Sequence, residues 1–354
     1  MLPSGRFSAS PEQDMAIVRT KSQWLLLVGG LIFAATLVMY VPSAWQAWLI
    51  MLGIYAIAAL GVHVMTGLCG QYSMGQAAFM AVGAYTTAIL GTRYELSPWA
   101  TLPLAGIVAG LAGLIFGMPA LRIKGFYLVM STIAAQFIIL WSLREWSWAG
   151  GASGMPVPGI TVGGVALDYV QYWWLTLALA VAMIFFAKNI QRTAIGRAFI
   201  AVRDNDLAAE VMGVNLFRTK LLAFFVGCFF AGIAGWLWAH FFLYISPNQF
   251  SFKTSLWLLG MIIIGGMGST TGAVLGVVVI RFMDKMVDEV APIVSAAVPN
   301  WSGQVAAALS LIVFAVVVIA FVMVEPRGLY HRLQRVILYY RLYPFSYQSR
   351  ARGP

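Results

Sequence analysis

The amino-acid sequence predicts an all-α, polytopic membrane protein with about 8–10 transmembrane helices, some of them broken or re-entrant half-helices. Three observations carry this reading. Of 354 residues, 61% are hydrophobic and only 10% charged, against about 25% charged in ordinary soluble domains, so there is too little polar side chain to clothe a water-facing surface. The apolar residues come in runs of about 20, the length a helix needs to cross a hydrocarbon core of about 30 Å. Trp and Tyr recur near the ends of those runs, at Trp24, Trp45, Trp99, Trp141, Tyr172, Trp173 and Trp301, as amphipathic rings do at a membrane interface.

The chain divides on this basis into a polar tail over 1–23, a transmembrane domain over 24–324 and a basic tail over 325–354. The tail 1–23 holds Arg6, Glu12, Asp14, Arg19 and Lys21 and has no signal-peptide cleavage pattern, so the first apolar run is expected to stay as a span. Full spans are expected near 24–41, 45–65, 71–90, 98–118, 126–141, 170–187, 221–245 and 302–323. Their orientation follows from the loops, because Lys and Arg gather on the cytoplasmic side. Residues 188–220 carry Lys188, Arg192, Arg197, Arg203, Arg218 and Lys220 against Asp204, Asp206 and Glu210, and the tail from 325 carries six arginines against Glu325. Arg122 and Lys124 mark the same side, which places 188–220 and 325–354 in the cytoplasm and 142–169 outside.

One straight span over 254–281 would put the arginine-rich tail on the wrong side. The stretch is interrupted at its centre by "GGMGSTTG" (265–272), so it is expected to dip in and return as two half-helices of about eleven residues, non-helical backbone being tolerated at depth where protein surrounds it. A second interruption, "TGLCGQYSMGQ" (66–76), lies in the first half of the chain. Gly67 and Gly70 mark one break, Gly265, Gly266 and Gly268 the other. Paired breaks of this kind are a transporter signature. Close helix packing is the competing explanation, as at Gly106/Gly110, Gly113/Gly117 and Gly272/Gly276, where small residues recur every fourth position. The polar neighbours Gln71, Ser73 and Gln76 favour a pathway; Tyr85, Thr132 and Gln136 join them as uncharged groups at depth able to line a passage.

Catalytic residues are not expected. His63, His240 and His331 are scattered, and no zinc-protease, serine-hydrolase or phosphate-loop motif is present. His63 and His240 read as buried packing groups, and Cys69 and Cys228 as small core residues, so neither a metal nor any other cofactor is expected. The net charge of +10 is carried by loops and the tail with no aromatic-interleaved basic stripe, which argues against nucleic acid. The acidic residues Glu95, Glu145, Asp168, Asp284, Asp288 and Glu289 fall in loops or at span ends, so the buried carboxylate of an ion-coupled carrier is missing. The energy source is expected on another polypeptide.

The charged island "GRAFIAVRDNDLAAEVMG" (196–213) fits that expectation. Asp204 or Asn205 can cap a helix through Leu207, Ala208, Ala209, Glu210, Val211 and Met212, with Gly213 as its stop. Two turns are unstable alone in water, so the helix must dock, either on the chain's own spans or on a cytoplasmic motor subunit. The Gly- and Pro-rich segment 142–169 is long enough for a structured cap or a platform for a soluble protein.

These residues carry a resemblance. "MTGLCGQYSMGQAAFMAVGAYTTAIL" (65–90), "IKGFYLVMSTIA" (123–134), "GGASGMPVP" (150–158), "GRAFIAVRDNDLAAEVMGVNLFRTKLLAF" (196–224), "SPNQFSF" with "GGMGSTTG" (246–272) and "EPRGL" (325–329) together resemble the permease subunits of branched-chain amino acid ABC importers, in particular the longer, M-type partner of the heterodimeric pair. Gln76 stands where the family usually has His, and Met155 where it has Leu. The resemblance implies a non-catalytic subunit of the bacterial inner membrane, working with a second permease, two cytoplasmic ATP-binding subunits and a periplasmic solute-binding protein. It also implies that Asp204, Asn205, Ala208, Ala209, Glu210 and Gly213, flanked by Arg197 and Arg203, dock the ATPase. Relatives for urea, short amides or aromatic acids share this architecture, so the solute stays open. A self-sufficient secondary carrier and a scaffold without transport are the remaining alternatives.

Overall fold

A computed structural model describes residues 21–120, 126–162, 165–297, 302–325 and 328–342. Most of the tail 1–23, together with Arg122, Lys124, Trp301, Arg327 and the end of the chain from 343, lies outside the described residues, so the expectations placed on them are not addressed by it. The chain separates into two compact units, one up to Leu256 and one from Trp257.

The first unit is a helical bundle. Its helices are α1 (Lys21–Tyr40), α2 (Ser43–Val62), α3 (Gln76–Arg93), α4 (Pro98–Ala120), α5 (Phe126–Glu145), α6 (Tyr169–Arg192), α7 (Ala194–Asp204), α8 (Asp206–Val211) and α9 (Leu216–Phe242). A π-helical turn over His63–Leu68 extends α2. The middle of the bundle is α2 and α9, whose apolar windows are 83% and 72% buried, while α4, α5 and α6 bury well under half of theirs. An apolar helix that leaves most of its surface uncovered has lipid as its solvent, and the helices alternate with charged or turn-rich ends as a multi-pass membrane protein requires.

Small residues bring these helices together. Between α4 and α9, a Cβ on Gly106 would meet the Phe229 ring at 2.6 Å, one on Gly110 the Phe225 ring at 2.8 Å, and one on Gly113 the Cys228 sulfur at 2.5 Å. In a bilayer, close van der Waals contact of this sort replaces the hydrophobic effect as the force between helices. Close packing is therefore what the α4 glycines do.

The segment 142–169 folds over one end of the bundle. Two short 3₁₀ turns, Ser147–Ala149 and Gly151–Ser153, lead into β1 (Met155–Pro156), which pairs antiparallel with β4 (Tyr244–Ile245), the chain's exit from α9. A second ribbon, β2 (Thr161–Val162) with β3 (Val165–Ala166), precedes α6. Side chains fasten this cap: Tyr244 donates to the Ser153 carbonyl at 2.6 Å, Thr92 to Pro156 at 3.1 Å and Arg93 to Trp148 at 2.6 Å. His240, buried edge-on against Trp236, places Nδ1 2.9 Å from the Pro158 carbonyl. It packs, as the sequence suggested.

At the opposite end the charged stretch makes two short helices rather than one. Each is started by a side-chain cap: the Thr193 hydroxyl accepts from Gly196 N at 3.3 Å, the Asn205 amide oxygen from Ala208 N at 3.1 Å, and the Asn215 oxygen from Arg218 N at 2.9 Å at the start of α9. The sequence reading missed α7, although its buried Gly196, Phe199 and Val202 repeat at helical spacing.

The second unit contains most of α10 (Phe252–Gly265), then α11 (Thr270–Ala297), α12 (Ser302–Val324) and α13 (Leu329–Leu342). Helices α10 and α11 turn through 119° at the glycine break, so the chain does double back there. The halves are unequal, however, at 14 and 28 residues rather than about eleven each. The extra length of α11 is amphipathic, carrying Asp284, Lys285, Asp288 and Glu289 among apolar residues, with Asp284 paired to Arg281 at 2.6 Å. Gly266, at φ +110°, makes the bend, and the Ser269 hydroxyl caps α11 by accepting from Gly272 N at 3.2 Å. The basic tail from 325 contains α13, anchored where Glu325 meets Arg335 and Arg332.

Gly113→Leu should force α4 from α9. We expect a loss of about 1–3 kcal/mol from overpacking, read as a lower melting temperature of the detergent-solubilised protein; an unchanged midpoint would contradict the contact.

Candidate functional site

The first helix break is the polar centre of the bundle. Past Leu68 the chain leaves the helix, passes Gly70 at φ +71° and starts α3 only at Gln76, five residues later than the expected span. Residues 69–75 therefore leave helical carbonyls behind and helical N–H groups ahead without their usual partners. In an apolar surrounding each such group costs several kcal/mol unless it is hydrogen-bonded.

Side chains from distant elements meet that demand at the start of α3. The Ala77 N–H donates to Ser255 Oγ at 2.9 Å, and the Ala78 N–H to Gln136 Oε1 at 3.0 Å. Ser255 in turn donates its hydroxyl to Gln136 Oε1 at 3.0 Å, and Gln136 Nε2 donates to the Phe250 carbonyl at 2.9 Å. Just ahead, Met74 N donates to Thr132 Oγ1 at 3.1 Å. One glutamine, one serine and one threonine thus complete the cap from α5 and the first turn of α10. Ser255 escaped the sequence reading, since one serine in an apolar run carries no signal of its own.

Of the remaining expected pathway residues, Gln71, Ser73 and Gln76 lie at the same break and Tyr85 does not. Gln71 closes the turn locally: its N–H reaches the Met65 carbonyl at 2.9 Å, its own carbonyl accepts from the Thr66 hydroxyl at 3.0 Å, and its side chain reaches the Cys69 carbonyl. Ser73 Oγ accepts from Gly75 N at 3.4 Å. Gln76 Nε2 donates to the Gly227 carbonyl on α9 at 3.0 Å. Its amide lies in a slot that Gly61 opens, where a Cβ would meet Nε2 at 2.5 Å. Tyr85 lies further along α3, 2% exposed, its hydroxyl without a hydrogen bond among the described residues. Gln71, Ser73, Gln76, Thr132 and Gln136 are all buried and most of their polar atoms hold backbone, so the arrangement described is a closed one.

The charged end touches the same break from the other side. Phe199, Val202 and Ala209 of the two short helices pack with Val64, Leu68, Cys69 and Ala223 in one apolar cluster. His63, fully buried, places Nε2 3.0 Å from Gln191 Nε2 at the end of α6. Beside the cluster lies a pocket of about 410 Å³ walled by Cys69–Tyr72, Val202–Asp206, Leu128 and Lys220. The nearly buried Lys220 ammonium stands 4.0 Å from Asp206. Outward from it, α8 is capped by Asn205 and stopped by Gly213 at φ +87°. Ala209 is buried and Asp206 is turned toward Lys220, while Leu207, Val211 and Met212 are 65%, 87% and 84% exposed. Ala208, Glu210 and Arg197 are exposed too.

Comparison with known proteins gives these features a family. Residues 45–322 match the family described as the permease component of the branched-chain amino acid transport system. The chain belongs to this family. A relative from Salmonella typhimurium, the high-affinity branched-chain amino acid transport system permease protein LivM, is 33% identical over 253 residues, 64% of this chain and 60% of that protein. The Escherichia coli protein of the same name is 31% identical over 287 residues, 74% and 68% of the two chains. The autoinducer 2 import system permease protein LsrC of Klebsiella pneumoniae is 29% identical over 212 residues, 58% of each chain. The match thus spans about three fifths to two thirds of the length of the first two relatives. No solved structure matches the chain. Both breaks and the charged end of this permease-family chain fall within the matched residues, and no group of His, Cys, Asp and Glu able to hold a metal occurs among the described residues.

Ser255→Ala should destabilise the permease by about 1–3 kcal/mol by stranding the Ala77 N–H, and Gln136→Leu by a similar amount by removing the acceptor that shares the Ala78 N–H with the Gly75 carbonyl and to which Ser255 donates. Because the two side chains share a hydrogen bond, the double variant should cost less than the sum. Hydrogen exchange at Ala77 and Ala78 would check this; unchanged protection in both single variants would refute the cap.

Proposed function

We propose that the chain is a membrane-spanning, non-catalytic subunit of an ATP-driven importer for branched-chain or related hydrophobic amino acids. In this reading ATP is hydrolysed on two separate cytoplasmic subunits, a second permease completes the membrane pair, and a periplasmic binding protein delivers the solute to the cap over 142–169 in the bacterial inner membrane. The solute class rests on the family and on the branched-chain transport named in its LivM relatives.

The observation that carries the reading is the α8 surface. A six-residue helix is too short to hold itself together in water, yet this one is fixed by Asn205 and the apolar cluster beneath it while Leu207, Val211 and Met212 stand out into solvent. A rigid apolar knob ringed by Asp204, Asp206 and Glu210 suits a groove on a soluble motor. The chain's own bundle leaves it uncovered. Uncharged groups at the break fit the same division of labour, with solute affinity residing in the external binding protein.

Val211→Asp with Met212→Asp should leave the permease folded, abolish co-purification with the ATPase pair and stop ATP-dependent leucine uptake in proteoliposomes. Glu210→Lys should weaken both. Uptake at the wild-type rate after deletion of 206–213 would sink the docking role, and leucine uptake driven by an ion gradient without ATP would replace the importer with a secondary carrier.

A further inference from the structure

The break leaves the Gly67 carbonyl beyond the reach of the helix that made it. Its neighbours are satisfied by the chain itself, Gly70 N donating to Thr66 O at 3.2 Å and Gln71 N to Met65 O at 2.9 Å. The donor to Gly67 comes instead from α7: Arg203 Nη1 reaches the carbonyl oxygen at 2.8 Å. The guanidinium is held from its other edge by Asp204 Oδ1, 2.9 Å from both Nε and Nη2. Gly70 lies against the same residue. A Cβ there would come within 3.1 Å of Arg203 Cγ and 3.3 Å of its Cα, a tight contact that, with the left-handed φ of +71°, favours glycine where the break approaches α7.

We infer that Arg203 is a positioning residue that pins the first helix break to the docking segment, so that displacement of α7 and α8 is transmitted to the backbone at Gly67–Gly70. The inference rests on the docking role proposed above. Three features make the pin directional. Arg203 lies in the last turn of α7, two residues before Asn205, which both ends α7 and caps α8, so motion of the exposed knob has no flexible linker in which to dissipate. Its acceptor belongs to a π-helical turn, a rare geometry found mostly as single turns at functional sites. And the pocket of about 410 Å³ between Cys69–Tyr72 and Val202–Asp206 gives the break room to move on one side. Beyond the break, α3 is fastened to Gln136, Thr132 and Ser255. The segment 69–75 is thus held at one end by the docking helices and at the other by α5 and α10, and its conformation must change when the two anchors separate.

The test uses the whole transporter, this chain with its partner permease, ATPase and binding protein, in proteoliposomes. Arg203→Met keeps the length of the side chain and removes the donor; Arg203→Lys keeps a cationic donor to the Gly67 carbonyl. The Met form should assemble with the ATPase and take up leucine about tenfold more slowly, the order of effect of one charged hydrogen bond, and the Lys form should recover most of the loss. A spin label at the half-exposed Tyr72 should change mobility with nucleotide in the wild type and stop responding in the Met form, a readout that mere destabilisation would not silence. Equal uptake by the Arg, Lys and Met forms, or a Tyr72 label that follows nucleotide in all three, overturns the pin. Failure of the wild-type chain to associate with the ATPase would instead remove the docking role on which it rests.

Discussion

A peptide group inside a bilayer must be hydrogen-bonded, because hydrocarbon offers it nothing else. Seven residues, Cys69 to Gly75, depart from the helix and separate α2 with its π-turn from α3. Thr66, Thr132, Gln136, Ser255 and Arg203 each reach a backbone atom that this departure exposes or flanks. These polar side chains of the interior therefore follow from the break. So does the contact with the charged end, since one of the exposed carbonyls is satisfied from there.

The second break is handled differently. The bend between α10 and α11 is stabilised within its own unit, Gly266 N donating to the Ile262 carbonyl and the Ser269 hydroxyl capping α11. Its glycines serve close approach, for a Cβ on Gly272 would meet the Gly265 and Gly266 carbonyls at 2.7 and 2.9 Å. A locally closed bend can move as a rigid corner. The first break, bonded to α5, α10 and α7 at once, has its geometry set by what surrounds it, as expected of a segment that responds to distant events.

This difference gives the family membership a physical content. In the importer proposed above the energy comes from another chain, which requires a surface to receive force, a path for it and a deformable element at the end of the path. The exposed apolar residues of α8, the apolar cluster joining Phe199 and Val202 to Leu68, and the bridged break form such a series within 20 consecutive residues and the one helix turn they meet.

Composition alone fixed the solvent of this protein, since 10% charged residues cannot clothe a bundle of this size in water. Run lengths gave the long helices, and Gly, Asn and Asp gave both breaks and the caps of α8, because those signals are local: length, turn chemistry and side-chain capping are all written within a few residues. The unequal arms of the 254–281 bend, the α7 helix and the strand pair formed by β1 and β4 were not legible at that scale. Nor were the partners of the polar residues. Gln136 and Ser255 are 119 positions apart, and Arg203 and Gly67 136; nothing in the neighbourhood of any of them names the other. Which residues would be polar at depth was a property of the sequence, whereas which backbone groups they satisfy was decided only when packing brought distant helices within 3 Å, the distance at which a hydrogen bond exists at all.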